Sequence, residues 1–104
     1  MYISVIYYLV KLPKPIEFEW DQGNINKNLK HGVTDKESEE VFFNKPLKIF
    51  KDTKHSEVEN RLVAYGISNS DRKLAIVFTL RESKIRIISA RDQNKKERNT
   101  YEKI

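Results

Sequence analysis

The sequence predicts an α+β domain with two short N-terminal helices, an antiparallel β-meander of three to four strands and a short C-terminal helix. Three observations carry that expectation. Thr34-Asp-Lys-Glu37 is a capping box, which opens a helix in the first half. Residues 61–68, 73–80 and 84–90 are runs rich in Val, Ile, Tyr and Phe. The segments between them, Ser68-Asn-Ser-Asp71 and Arg81-Glu-Ser83, are short enough for hairpin connections. Helices followed by consecutive strands and then a helix fit α+β architecture rather than alternating βαβ units.

Taken in order, residues 2–12 are the most apolar stretch. Eleven residues cannot cross a hydrocarbon core of about 30 Å as a helix. No basic residue precedes the stretch and no small-residue cleavage site follows it, so it does not read as a signal peptide. Lys11-Leu-Pro-Lys-Pro15 breaks the pattern, because two prolines cannot continue a ladder. Residues 1–15 are expected to be an N-terminal extension, or an artefact of an upstream start codon, and 16–104 the domain. Residues 16–20 (IEFEW) alternate as a half-buried strand does. Asp21 then caps a first helix over 24–31, with Ile25 and Leu29 four apart on one face and Gly32 as its left-handed stop. The helix opened by Thr34 runs through Val41, Phe42 and Phe43 and ends before Pro46. Residues 47–50 are a weak strand candidate ahead of the three stronger ones. Asp92 is expected to cap the final helix over 93–102, whose only large side chain available for burial is Tyr101. A helix that short and polar is marginal alone, so tertiary contacts, a partner or a ligand must hold it.

The chain has 104 residues, which is one small domain. Eleven aromatics suffice for a modest core. There is no cysteine, so disulfides and Cys-based zinc or redox sites are excluded. With two histidines, a metal site would have to be built from carboxylates. A cytoplasmic protein held by packing alone is the expectation, with no cofactor. The net charge of +5 is unevenly spread. Residues 16–60 carry seven lysines against ten acidic residues, whereas 61–104 carry eleven basic against five acidic. All six arginines fall in that second segment. Arginine grips phosphate with a planar fork. A basic C-terminal half therefore reads as a nucleic-acid footprint, or else as a well-solvated basic surface.

Strict alternation along the last strand puts Ile85, Ile87 and Ser89 on one face and Arg86, Ile88 and Ala90 on the other. Arg91 leads into a helix start, and Arg98 and Tyr101 lie three apart on that helix. Arg91, Arg98 and Tyr101 can converge on one phosphate. The alternative is salt bridging with Glu82, Asp92 and Glu97. His55 and Glu59, four apart and just before Arg61, suit acid–base work near neutral pH, or are simply solvated. His31, next to Gly32, can bond the last carbonyls of its helix. Phe18 and Trp20 read as core. No glycine-rich phosphate loop, G-x-S-x-G elbow or H-E-x-x-H motif is present. RNA cleavage needs none of these, because the 2′-OH of the RNA can be the nucleophile and arginines can stabilise the phosphorane.

Phe18-Glu-Trp-Asp21, Asn28-x-Lys30-His-Gly-Val33 and Glu40-Val-Phe42 with Pro46 resemble the opening of the BrnT family. Asp52-x-x-His55, Glu59-x-Arg61, Gly66-x-Ser68, Arg72-x-Leu74, Arg86-Ile-Ile-Ser-Ala-Arg91 and Glu97-Arg98-x-x-Tyr101 continue it in order. The chain departs from the family pattern at residues 1–15, which are extra, and at Asp35-Lys-Glu-Ser38, where F-E-E-A is usual. The resemblance implies a RelE-like fold and a type II toxin that cleaves RNA without metal and so inhibits translation. It implies a cognate, BrnA-like, DNA-binding antitoxin through which alone operator DNA is contacted, and no membrane association. Arg81, Arg91, Glu97, Arg98 and Tyr101 are then the catalytic candidates, with His55 and Glu59 secondary. Arg61, Arg86, Lys30 and His31 are candidates for RNA contacts. The alternative is a degenerate, non-catalytic nucleic-acid-binding or regulatory module.

Overall fold

In the structure, a computed structural model that describes residues 11–52 and 60–103, the three hairpin-linked strands stand where the runs of β-forming residues put them, and a fourth precedes them. Strands β1 (Lys48–Lys51), β2 (Leu62–Ile67), β3 (Lys73–Arg81) and β4 (Lys84–Asp92) form one antiparallel sheet in the order β1-β2-β3-β4. Glu82 and Ser83, at φ 51° and 66°, make the tight turn from β3 to β4. Helix α1 (Asp35–Glu40) begins at Thr34, whose hydroxyl accepts the Glu37 amide at 3.0 Å as a capping box requires. It passes into a 3₁₀ turn at Val41–Phe43 and stops ahead of Pro46. Helix α2 (Lys95–Lys103) closes the chain.

One face of the sheet is the main core. Ile49, Ala64, Leu74, Ile76, Phe78, Ile85, Ile87 and Ala90 pack there under Val33, Val41 and Phe42. The Phe42 ring meets Phe78 edge-on at 5.0 Å. Leu12, within the expected N-terminal extension, packs against this cluster, as do Ile16, Phe18 and Trp20. Gly66 lets Val41 approach β2, since a Cβ there would lie 2.5 Å from Val41 Cγ1.

Several elements differ from the expectation. Residues 16–20 make no full strand; Phe18 forms a single parallel bridge with Ile85. The first helix is a 3₁₀ segment, Lys27–His31, because Asn26 is left-handed at φ 57° and interrupts any α-helix begun at Asp21. Across 24–31 the buried side chains are Asn24 and Asn28, while Ile25 and Leu29 are about half exposed. Asn24 is buried because its side chain replaces backbone pairing: Nδ2 donates to Glu19 O at 3.0 Å and Ile87 O at 3.1 Å. Gly32, at φ 72°, ends the segment as expected.

The outer edge of β4 would expose a row of carbonyls. Three partners from the N-terminal segment occupy them: the Glu19 amide on Ile85 O, Asn24 on Ile87 O, and the His31 ring on Ala90 O. His31 thus serves β4 through its ring, not the end of its own helical turn.

Candidate active site

The sheet face away from the main core carries the site, and a β-bulge places its central arginine. Phe78 pairs with Ile87 and Val77 with Ser89, so Ile88 is unmatched. An extra residue reverses the alternation beyond it. Ala90 therefore turns into the core and is fully buried, while Ser89 and Arg91 take the other face. This corrects the grouping that strict alternation predicts. Beyond the bulge the register aligns Lys48, Tyr65, Ala75 and Arg91 in one row across the four strands.

Helix α2 lies over that face. Tyr101 is buried with Tyr65 and Ala75, flanked by Phe50 and Val63. Its hydroxyl donates to Pro46 O at 2.7 Å, and Lys73 pairs with Glu102 at 2.7 Å. The cap of α2 is Asn94, not Asp92: Asn94 Oδ1 accepts the Glu97 amide at 2.8 Å, and Glu97 Oε1 accepts the Asn94 amide at 2.9 Å. That reciprocal pair fixes Glu97 above Arg91. Arg91 grips it with both ends of its fork, Nη1 to Oε1 at 2.7 Å and Nη2 to Oε2 at 2.9 Å. Burial would raise the Glu97 pKa, but the Arg91 fork, the Asn94 amide and the Tyr65 hydroxyl outweigh it and hold the carboxylate below its ordinary value. Tyr65 is the complement: burial and the facing Glu97 charge push its phenol up to about 12.

Arg98, Tyr101 and Arg91 do not converge. The Arg98 guanidinium donates to Gln93 O at 2.8 Å, Tyr101 points at Pro46, and Arg91 at Glu97. Asp92, free of the capping role, takes Arg72: Nε to Oδ1 at 2.6 Å and Nη2 to Oδ2 at 3.1 Å, which holds the Asp92 pKa down. Arg72 also donates to Gly32 O at 2.7 Å and pairs with Glu37 at 3.2 Å, tying the N-terminal turn to the sheet.

At the far end of β4, Arg86 donates to Asp21 Oδ1 and Oδ2, both at 3.0 Å, and pairs with Glu19 at 3.2 Å; its side chain is only 14% exposed. Arg81, half exposed, lies 3.5 Å from Glu19. Five residues at about 3.3 Å each separate Arg86 from Arg91 by roughly 16 Å along the strand. Lys30 is exposed on the 3₁₀ segment, whereas His31 accompanies it with its ring on Ala90 O at 3.2 Å. Arg61 directly precedes β2, its carbonyl accepting the Asp52 amide at 2.9 Å. His55 and Glu59 lie outside the described residues. Among the described residues, no group of three or more His, Cys, Asp and Glu could hold a metal ion. No helix among them is long and apolar enough to cross a membrane.

Tyr65 is the site residue that reading the sequence missed. Alternation along 63–67 does place it opposite Ala64 and Gly66, but its place in one row with Arg91 depends on the bulge in a strand two positions away. Asn94 carried a usable signal, since Asn94-x-x-Glu97 has the capping spacing.

The class is thus a small, basic α+β protein whose non-core sheet face carries a carboxylate-clamped arginine beneath a C-terminal helix. The family model of the ribonuclease toxin BrnT of type II toxin–antitoxin systems matches residues 20–97. The chain belongs to that family, and a cognate antitoxin goes with it. The comparison with curated proteins finds no match.

Proposed function

We propose that this chain is a metal-independent endoribonuclease toxin on a RelE-like scaffold, acting in the cytoplasm, where cleavage of RNA inhibits translation. The observation that carries this reading is Arg91, held by Glu97 on the sheet face opposite the main core. In the proposed step the 2′-oxygen of the RNA forms a bond to phosphorus and loses its proton. The bond from phosphorus to the 5′-oxygen breaks, and that oxygen takes up a proton. The products are a 2′,3′-cyclic phosphate and a 5′-hydroxyl. Arg91 offsets the extra negative charge of the phosphorane. Glu97, kept ionised, orients Arg91. Arg81 and Arg86, roughly 16 Å away, meet flanking phosphates, and Lys30, His31 and Arg61 add further RNA contacts. Arg98 stiffens the turn into α2, and Tyr101 anchors that helix to the sheet. His55 and Glu59, beside Arg61 in sequence, are the acid–base candidates. A DNA-binding, BrnA-like antitoxin neutralises the site and carries the operator contact.

The test is RNA incubated with the purified chain in excess chelator, with the ends analysed for cyclic phosphate. Arg91→Ala should lower the rate by about 10²–10³, as loss of a charge stabiliser does. Equal rates for wild type and variant sink the assignment. The paired state of Arg72, Arg86 and Arg91 favours one second reading, a non-catalytic binding module. RNA that is bound and left intact would establish it.

A further inference from the structure

Beside the row that ends in Arg91, a second row crosses the same sheet face: Phe50, Val63, Val77 and Ser89 stand in register from β1 to β4. One end of it is covered, since Phe50 and Val63 pack against the Tyr65, Ala75 and Tyr101 cluster. The other end is open. Val77 and Ser89 are both partly exposed, and Val77 belongs to neither apolar cluster of the described residues. Two other hydroxyls at this face are engaged: Thr79 donates to Asn60 O at 3.0 Å and Tyr101 to Pro46 O at 2.7 Å. The Ser89 hydroxyl has no hydrogen-bond partner among the described residues. It reaches this face only through the bulge at Ile88, which also sets it two residues from Arg91 on the same side.

Two residues of strand, about 7 Å, separate Ser89 from Arg91, and the row of Ser89 carries no charge. An RNA held by a phosphate at Arg91 therefore brings an uncharged part of its nucleotide to the open end of that row. Val77 offers an apolar surface there, and the Ser89 hydroxyl both donates and accepts. That pair matches a nucleobase, with its apolar ring face and polar edge, as single-stranded RNA presents it when splayed out of a stack. We infer that Val77 and Ser89 form the subsite for the nucleobase next to the cleaved phosphate: the ring lies on Val77 and its edge bonds to the Ser89 hydroxyl. The inference rests on the ribonuclease reading above and deepens it. A hydroxyl serves donor and acceptor edges alike, so the subsite holds a base in place without strongly selecting one.

The experiment takes a site that the wild type cuts in a mixed-sequence RNA and places it in short RNAs. These carry either the normal base or an abasic ribose at each nucleotide flanking the cut. Cleavage by wild type, Ser89→Ala, Val77→Ala and Arg91→Ala is measured with enzyme in excess, with melting curves for each. Ser89→Ala should keep its melting temperature and lose roughly three- to tenfold in rate on the base-bearing RNA, the scale of one neutral hydrogen bond. That loss should vanish on the RNA that is abasic on one side of the cut, since the partner of the hydroxyl is then gone. Val77→Ala should show the same dependence on the base. If Ser89→Ala fails to fold, Ser89→Cys keeps the shape with a weaker donor and should give a smaller loss with the same base dependence. Wild-type rates for Ser89→Ala on the base-bearing RNA overturn the subsite. So do equal losses on base-bearing and abasic RNA, which would put the hydroxyl on the ribose or backbone. In either case an active wild type beside an inactive Arg91→Ala leaves the ribonuclease reading standing. A wild-type chain that cleaves no RNA overturns both.

Discussion

At Glu97, burial and hydrogen bonding pull in opposite directions, and the hydrogen bonds win. A carboxylate held below its unfolded value contributes stability that is fully present above the ordinary carboxylate range. That stability is lost as pH falls through the folded value. Asp21 and Asp92 are shifted the same way by Arg86 and Arg72, but they are exposed and solvent screens their share. The melting temperature should therefore hold from neutral pH down to the carboxylate range and fall below about pH 4. Glu97→Gln should flatten that fall, which thermal melts across a pH series would show; an unchanged slope would mean that the clamp adds nothing to folding. The pairing of Arg91 with Glu97 was legible in the sequence as one of two alternatives, because six residues of chain across a strand end and a helix start return close to themselves. So was the burial of Tyr101, the only large apolar body on its helix. The place of Tyr65 in the site was not legible, because Arg91 joins its row from two strands away.

At the scale of elements, local rules succeed where the chain supplies both partners and fail where distant chain supplies one. The Thr34 cap, the Gly32 stop and the hairpins were all legible from neighbouring residues. The bulge at Ile88 was not: it satisfies Ala90 against the core and Arg91 against Glu97 together, a choice that only the packed sheet can make. Likewise Ile25 and Leu29 suggest a buried helical face, yet Asn24 wins burial by capping Glu19 and Ile87 carbonyls. Asp92 lost the cap to Asn94 because Arg72 engages its carboxylate. Two outcomes test these elements. Asn94→Ala should cost about 1 kcal/mol, lowering the melting temperature by roughly 4–8 °C in a domain this size, with faster amide exchange confined to α2. Gly66→Ala should cost about 1–3 kcal/mol by overpacking, since its Cβ would meet Val41 Cγ1 at 2.5 Å. Wild-type melting by that variant would show that the turn after α1 yields.

Across the whole molecule, the charge asymmetry of the sequence is partly neutralised by folding. Acidic residues of the N-terminal half reach the arginines of the other: Asp21 and Glu19 on Arg86, Glu19 on Arg81, Glu37 on Arg72. Arg91 is instead clamped within the C-terminal half, and its side chain stays 46% exposed. RNA binding should weaken steeply with salt, and Arg91→Ala should reduce the slope of log affinity against log salt by about one. Arg72→Ala should leave that slope alone and lower the melting temperature, because its fork is spent on Asp92, Glu37 and Gly32. The antitoxin faces the same geometry. On the proposed mechanism, an antitoxin that excludes RNA must cover Arg91, and the economical cover is an acidic, partly apolar segment laid across the end of β4 and onto α2. Its carboxylates would compete with Glu97 for the fork, and its apolar side chains would rest on the helix that Tyr101 and Lys73 already hold in place. Amide exchange over residues 93–101 should then slow when the antitoxin binds, and RNA should displace the antitoxin from wild type more readily at low salt. Protection that appears instead over residues 24–43, with 93–101 unchanged, would place the antitoxin on the N-terminal elements and defeat the direct-occlusion mechanism.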